Sequence, residues 1–364
     1  MKVEILRQVD KAWWNSLVAS VPEGNIFQTT HWADFLSEYA GDEPLYLVIR
    51  ADSREIKAIL LLLQRASNHS RLLKRPLHYI TLLLLRRSLP TFTWQGGPIV
   101  FASGEEKIDI YNSTLGEVGR LVKDLYGAGI IRGTLPSTDS EIIEKGAIPV
   151  AGYEARKWAT YLVDLTLDDE TLWRSFKPAA RKSIKKVERD GIYVEQVGNL
   201  EELYDYYLFT KECAEQTGRG GFPSFGNLSV MWKHLRPEQG VEIFVARHDG
   251  QRLCGLGIWA FNGIIYEFGS FQSDYSFEHK LYGNDLLKWE IIKWGHEKGY
   301  RIYDLAGVNP DPLSEKEANI RRFKEKWGGR YVEFDEYSKP LENRLFSTFK
   351  KAKRKLWKAK SIGE

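Results

Sequence analysis

Two cysteines in 364 residues, Cys213 and Cys254, are too few and too far apart for a disulfide framework or a zinc site. The opening stretch MKVEILRQVDKAWW lacks the apolar core of a secretion signal. The longest apolar runs, AILLLL and ITLLLL, fall far short of the roughly 20 residues a membrane helix needs. The expectation is a cytoplasmic chain whose contact with a membrane, where there is any, is peripheral and at the inner face. The seven histidines form no HExxH or paired metal spacing, and neither a GxSxG elbow nor a Walker loop occurs. Nothing in the sequence demands a metal, a cofactor or a covalent nucleophile.

Hydrophobic content of 43% with 13% aromatics is ample for packed interiors and excludes a disordered chain. The length fits two domains of roughly 150 to 200 residues. Formal charge is only +3, but it is unevenly spread. Ile56 to Gly104 holds no acid while carrying Lys57, Arg65, Arg71, Lys74, Arg75, Arg86 and Arg87. The tail FKKAKRKLWKAK, from Phe349 to Lys360, is purely basic. Such blocks are either solvated faces or surfaces for phosphate, nucleic acid or anionic lipid.

Strand and helix patterns alternate along the chain. Leu45 to Leu63 and Glu242 to Ala260 each read as strand, polar turn, strand. Laid over each other, Val48 meets Val245, Arg50 meets Arg247, Asp52 meets Asp249 and Ala58 meets Gly255. This pattern points to a duplicated unit with a central antiparallel hairpin in each half. Helical stretches precede both hairpins, THWADFLSEYAG in the first half and LDDETLWRSFKPAARKSIKKVERDG in the second, the latter interrupted at Pro178. In the latter, Leu172, Phe176, Ala180, Ile184 and Val187 form an apolar face. After the second hairpin come a strand GIIYEFGSF, a helix YGNDLLKWEIIKWGHEKG and a short buried strand in YRIYDLAG. The fold class is α+β, with a mixed, mainly antiparallel sheet in each half. The expected division is 1–157, 158–338 and a basic helical tail, 339–364.

RLCGLG, Arg252 to Gly257, matches the RxxGxG of acetyl-CoA-dependent acyltransferases letter for letter. Pyrophosphate binding needs free backbone N–H groups at a helix N-terminus. Here the glycines sit inside the second strand of a hairpin, where the ladder takes those groups. The match is therefore set aside.

From Leu165 onward, VDLTLDDETLWRSFKPAARKSIKKVERDGIYVE, YGNDLLKWEIIKWGHEKGYRIYDLAGV and RRFKEKWGG resemble, in order, blocks of the FemABX family. NIFQTTHWADFL and GGPIV resemble its N-terminal blocks. The resemblance implies two acetyltransferase-like (GNAT-like) domains and a last segment that returns to the first. It also implies transfer of an amino acid from aminoacyl-tRNA to an amino group of a muramyl-pentapeptide precursor, nucleotide- or lipid-linked, with no cofactor. Lys324 matches the family's catalytic lysine, with Phe323 beside it; on residue pattern alone it is equally a surface lysine on a helix whose Phe323 and Trp327 face inward. Arg219, in QTGRGGF, lies where relatives bind the precursor's diphosphate, or is a simple loop cation. Tyr266 falls in the strand that resembles the family's acceptor-cleft strand, or is a core tyrosine, and Asp304 either orients the attacking amine or caps its own loop. Arg181 and Lys185 meet tRNA phosphates or are solvated.

The chain is too short between its second-half helices for the coiled-coil arm of some family members. In the tail, Leu345, Phe349, Ala352 and Leu356 line one face beneath lysines, the pattern of a helix lying at 345–360 on anionic lipid, of a tRNA-binding tail or of a packed helix. Two other activities stay open: acyl-CoA-dependent N-acylation of a sugar or small amine, and non-catalytic binding of an envelope precursor.

Overall fold

The computed structural model describes residues 1–65, 90–127, 129–145, 152–216, 224–238 and 240–341. The tail at 345–360, Arg219 and residues 66–89 of the acid-free stretch, with five of its seven cations, lie outside the described residues.

Thirteen strands are described: β1 (Lys2–Leu6), β2 (Glu43–Arg50), β3 (Ile56–Arg65), β4 (Thr91–Trp94), β5 (Ile99–Val100), β6 (Gly129–Thr134), β7 (Glu154–Asp164), β8 (Tyr193–Gln196), β9 (Val241–His248), β10 (Gln251–Phe261), β11 (Ile264–Gln272), β12 (Ile302–Asp304) and β13 (Arg330–Leu341). They form one sheet in the order β1-β2-β3-β4-β6-β13-β7-β12-β11-β10-β9-β8, with β5 paired to β3 off this path. The order is nearly a palindrome about the β13–β7 pair. β4 runs parallel to β6 as β11 runs parallel to β12, while the neighbouring hairpins are antiparallel.

At the centre the two halves exchange strands. β7, which follows the first half in sequence, pairs with β12 of the second. β13, the last described strand, pairs with β6 of the first half over Glu336–Leu341 and with β7 along its length. Without β13 and β7 at the centre, β6 and β12 would each present an unpaired edge. Positions 157/158 and 338/339 both fall inside these exchanged strands.

The AILLLL run is continuous because β3 is buried on both faces. Ile59, Leu61 and Leu63 enter a core shared by the halves, while Ala58, Leu60 and Leu62 enter the outer core of the first half. The shared core also takes Trp14, Phe27, Ile243, Val245 and Tyr266. A third core, in the second half, holds the apolar face of the split helix: Leu172, Phe176, Ala180, Ile184 and Val187. That helix is two, Asp169–Ser175 and Pro178–Arg189, with the proline at the start of the second, where its missing N–H costs nothing.

The two hairpins correspond strand for strand, but their pairing differs by one residue. Val48 lies opposite Ile59, whereas Val245 lies opposite Gly255. The first hairpin turns through Ala51–Glu55 with a bulge at Ile49/Arg50; the second turns at Asp249–Gly250 with its bulge at Arg252/Cys254.

A shared core and exchanged strands make the halves thermodynamically one unit. A single cooperative thermal transition is therefore expected, and residues 1–152 and 153–364 produced separately should not fold. Two resolved calorimetric transitions would contradict this.

Candidate active site

Parallel strands that stay hydrogen-bonded at one end and diverge at the other open a notch. β11 and β12 pair from Ile264↔Ile302 to Tyr266↔Asp304, after which β12 ends and β11 continues. In the first half β4 and β6 pair as far as Trp94↔Gly133. There the notch is laced shut: Gly96 N–H donates to Thr134 Oγ1 at 3.1 Å and Gly97 N–H to the Thr134 carbonyl at 3.3 Å.

The NIFQ block explains this closure. Asn25 and Gln28, both fully buried, donate to the carbonyls of Gly96 (2.6 Å) and Gln95 (2.8 Å). Gln28 Oε1 accepts from the Leu61 N–H at 2.8 Å, fastening the same loop to β3. A Cβ on Gly96 or Gly97 would lie within 3 Å of these amides, which accounts for the paired glycines of GGPIV.

The notches face a common cleft of about 450 Å³ between the halves. Gln95, Gly96 and Thr134–Ser137 line it from the first half. Tyr266, Glu267, Asp304, Ala306 and Gly307 line it from the second, and Arg156, Trp158 and Thr160 from the central strand β7. Trp158 packs against Gly307, where a Cβ would come 1.9 Å from its indole nitrogen.

Asp304 sits at the end of β12, 4% exposed. Its carboxylate accepts from Ser137 Oγ (2.6 Å), from Thr160 Oγ1 and from the Ala306 N–H (2.8 Å). The local cap expected from the sequence is present, joined by two hydroxyls from distant segments. Burial pushes its pKa up, against the pull of those donors and of Lys324. Ala306 takes a left-handed φ of 63°, uncommon for a non-glycine residue. That turn gives its N–H to Asp304 and its carbonyl to Lys324.

Lys324 is the one buried residue of the helix Glu315–Glu325. At 9% exposed it is not a surface lysine. Its ammonium donates to the carbonyls of Ala306 (3.0 Å) and Gly307 (3.2 Å), both on the cleft wall. Burial brings its pKa down to about 8, partly countered by Asp304. Trp327 is fully buried; Phe323 is half-buried against the second-half core, edge-on to Trp327 at 6.1 Å, with the Lys326 ammonium 4.3 Å over its ring.

Tyr266 belongs both to the shared core and to the cleft wall, its ring 4.8 Å from Phe27. Arg181 is engaged elsewhere. Its guanidinium donates to the carbonyls of Arg174 (3.0 Å) and Phe176, closing the C-terminal end of the preceding helix. Lys185 lies 5.7 Å over the Trp173 ring on the same helix as Lys182 and Arg189, forming a cationic face apart from the cleft. Sequence reasoning missed Ser137, Thr160 and Glu267. The hydroxyls carry no motif, and they reach Asp304 across 167 and 144 residues of chain.

The RLCGLG glycines are confirmed as strand residues in β10. A Cβ at Gly255 would meet the Tyr206 ring at 2.6 Å, and one at Gly257 the Phe268 ring at 2.4 Å, so both serve packing.

Residues 174–325 match the acetyltransferase (GNAT) domain family. The lipid II:glycine glycyltransferases of two Staphylococcus epidermidis strains are 30% identical over 122 residues, 33% of this chain and 29% of theirs. Across its length the fold is similar to a crystal structure of FemX, with a TM-score of 0.68, 16% identity, and 91% of this chain and 96% of that one covered. The chain is thus similar to FemX in fold across its length, and to the glycyltransferases in sequence over about a third of it. It also superposes on a tandem GNAT protein of the clavulanic acid biosynthesis pathway (TM-score 0.55, 14% identity, covering 94% and 99% of the two chains). The FemABX-like chain is thus an α+β protein of two GNAT-like domains. Only residues 217–224 separate the helices Leu200–Gln216 and Phe225–Leu235, so no long coiled-coil arm stands there. Among the described residues, no helix is long and apolar enough to cross a membrane.

Proposed function

We propose that the protein is an aminoacyl transferase. It moves an amino acid from an aminoacyl-tRNA to an amino group of a lipid- or nucleotide-linked peptide precursor of the cell wall. The observation that carries this reading is Lys324, a buried lysine held on two cleft-wall carbonyls with its pKa lowered to about 8. An aminoacyl ester is already activated, so a neutral amine attacks it directly. The site has only to position the reactants, stabilise the oxyanion and protonate the departing ribose oxygen. A lysine with a pKa near neutrality is charged enough to do the second task and acidic enough to do the third. The glycyltransferases similar to this chain are named for lipid II, which supports a lipid-linked acceptor.

Asp304, through Ala306, holds the carbonyl against which Lys324 is set, and Phe323, its neighbour in the chain, packs on Trp327. Tyr266 forms part of the acceptor wall. The cationic face bearing Lys185 is the surface for tRNA phosphates, with Arg181 supporting it as a helix cap. Arg219 is assigned to the acceptor's diphosphate on the family resemblance alone.

An acyl-CoA donor is disfavoured, since the RxxGxG glycines are locked in β10. Filter binding separates the donors. Affinity for charged tRNA should fall steeply, by about tenfold or more, between roughly 50 and 200 mM salt, as contacts to several phosphates require. Saturable binding of acetyl-CoA with none of tRNA would turn the assignment to the N-acyltransferase reading.

A further inference from the structure

The cleft holds a second carboxylate whose surroundings differ from those of Asp304. Glu267, the residue after Tyr266 on β11, lines the cleft with its side chain 10% exposed. Behind it stands Lys288, 2% exposed, from the helix Asn284–Glu297. The Lys288 ammonium and the Tyr303 hydroxyl (3.2 Å) both reach Glu267 Oε2. Lys288 Nζ also lies 3.2 Å from the Tyr303 hydroxyl. Asp304, by contrast, takes three donors from the protein itself.

A buried lysine–glutamate pair rarely stabilises a fold more than apolar residues of the same volume would. This one opens on the cleft, and its lysine is held well below its ordinary pKa by burial and by the nearby charges of Lys324 and Lys326.

We propose that Glu267 is a further catalytic residue: it binds the acceptor's amine as an ammonium ion and takes its proton, with Lys288 and Tyr303 holding the carboxylate in place. The inference rests on the aminoacyl-transfer reading only in that the acceptor is an amine. The ammonium gives one proton to Glu267 and becomes the nucleophile. The C–N bond then forms at the ester carbonyl. As the C–O bond to ribose breaks, the ribose oxygen leaves with the proton of Lys324, and the second nitrogen-bound proton of the adduct restores Lys324.

The test needs no donor. Trp158 and Trp259 line the cleft, so intrinsic fluorescence reports its occupancy. Two probes are titrated: Nα-acetyl-lysine amide, which carries a primary amine, and Nα-acetyl-norleucine amide, which lacks it. In the wild type the amine probe should bind about tenfold more tightly, as a charge-assisted hydrogen bond implies. Glu267→Gln should erase that preference and leave norleucine-amide binding unchanged. The double variant Glu267→Gln/Lys288→Met, which leaves no unpaired buried charge, should behave likewise if the single variant folds poorly. Equal affinity for the two probes in the wild type, or a preference retained in Glu267→Gln, overturns the proposal. Absence of tRNA-dependent transfer alongside an intact amine preference would sink the donor assignment and leave the role of Glu267 standing.

Discussion

Lys324→Met is expected to lower transfer about a hundredfold to ten-thousandfold, the usual loss when a positioned proton donor is removed. The same substitution should leave a distinct mark on stability. A lysine whose pKa falls from 10.5 to about 8 on folding binds its proton less well in the folded chain than in the unfolded one. Its cost is fully present below pH 8 and is relieved as pH rises from 8 towards 10.5. The stability of Lys324→Met minus that of wild type should therefore drop by about 2 to 3 kcal/mol between pH 7 and pH 10.5. At pH 7 part of the gain is offset, at about 1 kcal/mol each, by the Ala306 and Gly307 carbonyls that lose their donor. Urea melts of both proteins at the two pH values read this directly. A difference that does not change with pH would mean that Lys324 is not desolvated.

Asp304→Ala is expected to destabilise the fold by about 3 to 5 kcal/mol, since it strands the Ser137 hydroxyl, the Thr160 hydroxyl and the Ala306 N–H in a buried site. Thr160 recovers partly, because its hydroxyl is also 3.0 Å from the Ala306 carbonyl. Asp304→Asn should cost less, as its amide oxygen still accepts. Asp304→Ala should also lose transfer, because the left-handed turn at Ala306 that presents the carbonyl to Lys324 is held from Asp304, whereas Asp304→Asn, with its oxygen on the Ala306 N–H, should keep more of it. An Asp304→Ala protein with wild-type melting and wild-type transfer would remove Asp304 from the site.

How much of this was legible in the sequence depends on how local the determinant is. The two hairpins, the helix break at Pro178 and the short strand at Tyr303 were all readable, because periodicity and punctuation act over a few residues. The pairing register within the hairpins was not, since one extra residue in a turn shifts it without disturbing the pattern. The exchange of β7 and β13 was equally hidden in the residue pattern, since their partners lie far away in the chain; only the family resemblance implied a last segment that returns to the first half. Lys324 was found through its motif, but only its burial separates it from a surface lysine on an amphipathic helix. Arg181 stood out as one of many cations, and only its geometry reveals a helix cap. Lys288 did leave a signal, a lysine flanked by Leu286, Leu287, Ile291 and Ile292 on a buried face. A lysine in such company rarely lacks a partner.

The most direct measurement follows labelled amino acids from a pool of charged tRNAs to a lipid-linked or nucleotide-linked pentapeptide precursor, with wild type and Lys324→Met side by side. Transfer by the wild type that collapses in the variant, while the variant still folds and still binds precursor, is the predicted result. No transfer by the wild type from any charged tRNA, or equal transfer by both proteins, would contradict the account.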